Sequence, residues 1–176
     1  MNNQPIGIFD SGVGGLTVAQ AIKQILPGES LVYFGDTAHL PYGDKSAEAI
    51  RYYSGKITEF LIGHDSKIVL VACNSASASA FDTLKEEFKE KLILIDVINP
   101  VVNYLSTRKF GKVGIIGTKR TISSGTYAHK LKAKSPETEV VSMATPLFVP
   151  MIEEGFIFDD ISNAIIRTYL SNEMLS

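Results

Sequence analysis

Apolar runs of strand length alternate with helix-length stretches along this sequence, and that order leaves few folds open. Ile6-Gly7-Ile8-Phe9-Asp10 reads as a strand, followed by a glycine-rich turn and a helix over 16–26 that Pro27-Gly28 stops. A strand over 31–35, a loop over 36–44 and a helix over 46–63 come next, with Ser46 and Glu48 suiting a helix N-terminus. Ile68-Val69-Leu70-Val71-Ala72 reads as a buried strand, trailed by helix 76–89 and strand 92–98. Past Asn99-Pro100 the order repeats as helix 101–107, strand 112–117, helix 122–132 and strand 139–144. A short segment punctuated by Pro146 and Pro150 then leads to a helix from about 159 to 172.

Alternation of this kind predicts an α/β fold with mainly parallel sheets. The expectation is two similar doubly wound domains facing a cleft, the first over 1–98 and the second over 99–176. The latter reads as incomplete, because a strand should follow its last helix and none does. Ile6-Gly7-Ile8-Phe9-Asp10-Ser11 and Val113-Gly114-Ile115-Ile116-Gly117-Thr118 share an apolar-Gly-Ile-apolar-X-hydroxyl pattern. That echo fits two related halves, and shared strand composition explains it about as well.

With 45% hydrophobic residues, the 176-residue chain has the means to bury a real core. No apolar run approaches the ~18 residues of a membrane span, and the N-terminus leads straight into a strand instead of a signal peptide. A net charge of −2 with scattered Lys and Arg gives neither a nucleic-acid footprint nor a membrane-binding patch. The single cysteine excludes an intrachain disulfide and fits a reducing cytoplasm. Three dispersed histidines and that cysteine show no metal-ligand spacing, so no metal is expected.

In parallel α/β sheets, ligands gather at the carboxyl ends of strands. Cys73 sits there, beside the start of a helix whose partial positive charge favours thiolate over thiol. The plainer account is a buried cysteine packing as a small hydrophobe. Asp10-Ser11-Gly12-Val13-Gly14-Gly15 ends the first strand, where glycines permit a tight turn that presents N–H groups to an anion. Asp10 is placed to hold or activate a neighbouring group, or to meet a substrate ammonium. Thr17 stands at the third glycine position of a dinucleotide fingerprint and no Gly-Lys-Ser/Thr follows, so neither nucleotide motif is present.

Pro41-Tyr42-Gly43 lies in the second loop at the same edge. Tyr42 offers an amphipathic wall and Gly43 a backbone N–H, although a surface turn is the plainer reading of this tripeptide. Thr118 and Thr121 suit a carboxylate at a helix N-terminus, or ordinary capping. His39 lies near the Pro41 loop and reads as structural; His64 and His129 show no partner spacing with Cys73.

Five segments in order carry a resemblance to a known family. They are Gly7-Ile8-Phe9-Asp10-Ser11-Gly12-Val13-Gly14-Gly15-Leu16, Gly35-Asp36-Thr37-Ala38-His39-Leu40-Pro41-Tyr42-Gly43 and Ala72-Cys73-Asn74-Ser75-Ala76-Ser77-Ala78. Gly117-Thr118-Lys119-Arg120-Thr121 and Pro146-Leu147-Phe148-Val149-Pro150 complete the set. From Ile6 to about Gly155 the chain resembles the glutamate racemases of the cofactor-independent aspartate/glutamate racemase superfamily. Aspartate racemase is a related alternative that the length and wording of the motifs favour less.

The resemblance implies a cytoplasmic isomerase that interconverts L- and D-glutamate without a cofactor and supplies D-glutamate for peptidoglycan. It implies two cysteines on opposite faces of the α-carbon, one removing the proton and the other delivering one. Cys73 and Asp10 become catalytic candidates. Asp10, Ser11, Pro41, Tyr42, Gly43, Asn74, Ser75, Thr118 and Thr121 become candidate substrate contacts, with Ser75 where the family commonly has Thr. Glutamate is the implied small-molecule partner, and a homodimer is allowed. The family's second cysteine, in a Gly-Cys-Thr-His segment, has no counterpart in this sequence. The expectation is therefore a truncated form that is inactive alone, or a non-catalytic glutamate-binding or interaction fragment.

Overall fold

The computed structural model describes residues 4–157 and 159–170, and the chain divides into two compact units, Met1–Val101 and Val102–Ser176. The division falls within a helix, and each unit is described by itself.

The first unit is built on a four-stranded parallel sheet in the order β2-β1-β3-β4. Its strands are β1 (Ile6–Asp10), β2 (Leu31–Gly35), β3 (Ile68–Val71) and β4 (Ile93–Asp96). Ile6 is in register with both Leu31 and Ile68, and Ile68 with Ile93, so the four carboxyl ends share one rim. Central β1 is buried throughout, as an apolar run covered on both faces must be. The strand period of two sorts its side chains. Ile6 and Ile8 point to a cluster with Val18, Ala19 and Ile22 of α1 (Leu16–Ile25). Phe9 points to the opposite cluster with Val69, Val71 and Leu94. There it meets Ile50, Ile57 and Leu61 of α2 (Ala47–Gly63), Ala76 of α3 (Asn74–Ser79), and Phe81, Leu84 and Phe88 of α4 (Phe81–Phe88). Helices on both faces of a parallel sheet make this unit doubly wound.

Helix ends follow local chemistry. Ser46 caps α2 as expected, its hydroxyl accepting from the Ala49 amide at 3.1 Å. The expected single helix over 76–89 is two, α3 and α4, which meet at Ala80. The serines of the Asn74–Ser79 stretch favour caps over helix interiors, and the Ser77 hydroxyl donates to the Val71 carbonyl at 3.0 Å. Pro100 does not mark a break. It lies in the first turn of α5 (Ile98–Arg108), where its missing N–H has no helical partner to lose. The Asp96 carboxylate accepts the Asn99 amide at 3.3 Å from each oxygen, at the head of that helix.

The second unit holds a two-stranded parallel sheet of β5 (Lys112–Gly117) and β6 (Glu139–Ala144). The expected helix over 122–132 is again two, α6 (Lys119–Ser123) and α7 (Thr126–Lys134). Gly125 between them has φ +67, a left-handed conformation that ends one helix and starts the next. The proline-punctuated segment forms α8 (Phe148–Glu153), and α9 (Asp160–Leu170) follows; Phe148 and Tyr169 meet edge to face at 5.2 Å. The part of the expected final helix past 170 lies outside the described residues.

Candidate functional site

At the carboxyl rim of the first unit, β1 ends in Asp10, β2 runs into Asp36, Cys73 lies just past the end of β3, and β4 ends in Asp96. The first and third strands are neighbours, which brings the 11–15 turn against Cys73. The Cys73 thiol donates to the Ser11 hydroxyl at 3.5 Å and accepts from the Ala76 amide at 3.4 Å, so it caps α3.

Cys73 is buried, with 5% exposure. Burial most of all, and then the Asp10 charge, push its pKa up, while hydrogen bonds from Ser11 and the Ala76 amide pull it down. The net direction is upward, so the resting group is a thiol. This corrects the thiolate expected from a helix start: α3 is one short turn and a half, and desolvation outweighs its dipole.

Asp10 is buried at 8% exposure. Its Oδ2 accepts from the Gly12 amide at 3.2 Å and the Gly15 amide at 3.0 Å, so the glycine-rich turn wraps its own strand-end carboxylate. A Cβ on Gly15 would lie 2.7 Å from the Asp10 Cβ, which is why the close approach needs glycine.

Tyr42 is not part of a surface turn. It is 1% exposed and belongs to the same apolar cluster as Cys73 and Ala76. Its hydroxyl donates to Asp36 Oδ2 at 2.6 Å, and burial followed by that bond raises its pKa far above the ordinary tyrosine value. His39 Nδ1 meets the other Asp36 oxygen at 2.7 Å, and its ring stacks on Tyr53 at 4.0 Å. Pro41 follows a cis peptide bond and is exposed, and Gly43 lies in a 3-10 turn over Tyr42–Asp44. Asn74 is exposed and Ser75 buried at the start of α3.

Thr118 and Thr121 belong to the second unit, at the end of β5. The Thr118 hydroxyl accepts the Thr121 amide at 3.2 Å and donates to the Thr121 hydroxyl at 3.1 Å, capping α6. Two rim residues escaped the sequence reading. Asp36 lies inside the 35–43 segment but was not singled out from it. Tyr33 read as an ordinary strand residue; it donates from its hydroxyl to the Gly12 carbonyl at 2.9 Å. Among the described residues, no group of three or more His, Cys, Asp or Glu is arranged to hold a metal. No helix among them is long and apolar enough to cross a membrane.

No protein-family model matches the sequence. Individual relatives do. The chain is 47% identical over 167 residues to the glutamate racemase of Geobacter metallireducens, spanning 94% of this chain and 61% of that protein. The crystal structure of glutamate racemase from Francisella tularensis in complex with D-glutamate matches 99% of this chain and 66% of that one, at 41% identity and a TM-score of 0.93. That of Campylobacter jejuni glutamate racemase matches 96% of this chain and 68% of that one, at 34% identity and a TM-score of 0.89. The chain spans about 61% of the length of the curated relatives it matches. Identity at this level over nearly every residue, with the same fold and motif order, means that the chain belongs to the glutamate racemase family.

Proposed function

We propose that this chain carries one proton-transfer face of a cofactor-independent glutamate racemase, with Cys73 as the acid/base of that face. The observation that carries the reading is the setting of its thiol at the end of β3, between the Ser11 hydroxyl and the Ala76 amide and near Asp10. Kinship with relatives named glutamate racemase, one of them bound to D-glutamate, supports the choice of substrate.

The chemical problem is the weak acidity of an α-C–H beside a carboxylate. Placement and stabilisation of the developing carbanion must supply much of the rate. In one direction the Cys73 thiolate takes the α-proton and becomes a thiol. A second group on the opposite face gives a proton to the carbanion and is left deprotonated. In the other direction the Cys73 thiol is the donor. The resting thiol suits that second role directly. For the first role, a substrate ammonium near Asp10 offsets the charge that holds the thiol pKa up, so binding itself favours proton loss. Ser11, Pro41, Tyr42, Gly43, Asn74 and Ser75 are the substrate contacts we assign to the first unit.

The two-thiol form of this mechanism draws its second cysteine from outside these 176 residues, since Cys73 is the only one they contain. These residues alone then exchange the α-proton on one face without inverting the centre. The D-glutamate formed by the complete reaction is a peptidoglycan building block, and the cytoplasm is where we expect the reaction.

The test is α-proton exchange of L- and D-glutamate in D₂O, followed by NMR, with Cys73→Ala as control. Exchange without inversion, lost in the variant, is expected. Exchange that survives the variant would overturn the role of Cys73. No exchange of either enantiomer would leave a non-catalytic fragment, and full racemisation would sink the one-face assignment.

A further inference from the structure

Tyr33 has no part in the site as read from sequence, yet its phenol lies where two side chains have been left out. A Cβ on Gly15 would come within 3.0 Å of the Tyr33 hydroxyl, and a Cβ on Gly35 within 3.3 Å of Tyr33 Cε1. The same Cβ on Gly35 would lie 2.5 Å from the Gly12 carbonyl oxygen. Glycines on the 11–15 turn and at the end of β2 thus keep open a slot that the phenol fills. In that slot the hydroxyl donates to the Gly12 carbonyl at 2.9 Å.

Gly12 is the neighbour of Ser11, whose hydroxyl lies 3.5 Å from the Cys73 sulfur, accepting from the thiol and turning to donate once the sulfur is a thiolate. Asp10 grips the turn through the amides of Gly12 and Gly15, so the peptide planes on both sides of Gly12 are fixed, one by a carboxylate and the other by a phenol. Only the first of these anchors comes from the strand that carries Ser11. The other reaches in from β2, 21 residues along the chain.

We propose that Tyr33 is a positioning residue for the Cys73 thiol: its bond to the Gly12 carbonyl holds the 11–15 turn in the one geometry that sets the Ser11 hydroxyl against Sγ. The titratable groups near the thiol are Asp10 from β1, Tyr33 from β2 and Tyr42 from the 3-10 turn. Ser11 is the side chain that favours the thiolate, opposing burial and Asp10. A turn that drifts therefore costs Cys73 its main counterweight. This role deepens the racemase reading, and it is stated for the thiol itself, so it can be tested apart from that reading.

The test uses the chain's single cysteine as its own reporter. Alkylation by iodoacetamide is followed by intact mass across a pH series for the wild type, Tyr33→Phe, Ser11→Ala and the double variant. Tyr33→Phe removes one oxygen and keeps the ring that fills the slot; circular dichroism checks that it is folded. We expect Tyr33→Phe to move the midpoint of the pH–rate profile upward and slow alkylation near neutral pH by roughly three- to tenfold, the size of one net hydrogen bond. Ser11→Ala moves it the same way, and the double variant goes no further than Ser11→Ala, because both changes remove one interaction. A Tyr33→Phe profile with the wild-type midpoint overturns the proposal, even if its melting temperature falls. Shifts that add in the double variant overturn it too, since Tyr33 then acts by a route other than Ser11. Failure of glutamate exchange in the wild type bears on the racemase reading alone and leaves these alkylation outcomes intact.

Discussion

Tyr42 Oη lies 2.6 Å from Asp36 Oδ2, a bond between two buried side chains of the same loop. His39 takes the other oxygen, so one carboxylate closes the loop on itself from both sides. Tyr42→Phe keeps the ring in the core and strips the donor. The buried carboxylate then loses a partner, which should destabilise the fold by about 1–3 kcal/mol. Urea denaturation measures it, and an unchanged midpoint would show that Asp36 finds water or another donor at no cost.

Native Cys73 should react slowly. Burial and Asp10 hold its pKa up, so little thiolate exists near neutral pH and the sulfur is covered. Iodoacetamide should label the native chain far more slowly than the same chain in urea. Equal rates in both states contradict the buried, protonated thiol.

High pH should weaken the first unit through Tyr33. Burial chiefly, then Asp10 and Cys73, raise its pKa from 10.0 to about 12. The stability tied to its neutral phenol is complete below pH 10.0 and is lost as pH rises toward and through about 12. Tyr42, raised by burial and Asp36, adds a decline of the same sign. Urea midpoints measured at stepped pH should fall over this window, and Tyr33→Phe should fall less steeply. Parallel curves for the two proteins would count against Tyr33 as a source of the effect.

Gly15→Ala should destabilise by about 1–3 kcal/mol, the usual cost of overpacking a filled site. The added carbon would meet the Asp10 and Ala72 Cβ atoms at 2.7 and 3.0 Å, neither of which swings aside. Gly28→Ala, with nothing within 4 Å, is the control. Equal thermal midpoints for both variants would mean that the turn yields easily.

Strands were the legible part of this fold. β1, β2, β5 and β6 have the bounds their apolar runs suggested, because a run of five or six mostly apolar residues between turn signals is long enough for a strand and too short for a helix. Helix bounds were less legible. Ala80 and Gly125 each divide what periodicity joins, and Pro100 lies in the first turn of a helix it was expected to precede. Those outcomes depend on backbone conformation and capping, which periodicity does not report. The place of Cys73, Asp10 and Ser11 at the carboxyl ends of β1 and β3 was legible from the strand pattern. Tyr33 was not, since a tyrosine within a strand looks the same whether its hydroxyl meets solvent or a carbonyl 21 residues away. The bond between Asp36 and Tyr42 was hidden for a related reason: it exists only once the loop has folded.

Asp10, after burial, raises the pKa of the Cys73 thiol and also ties the turn that follows its strand, so most substitutions there would alter both duties at once. An alanine there would unlace the turn, displace Ser11 and discharge the thiol's surroundings together, and a loss of the proposed α-proton exchange would then say nothing of which duty failed. Asparagine separates the two, because its amide oxygen still accepts both glycine N–H groups while the charge is gone. Any lineage that dispensed with the charge should pass through asparagine first.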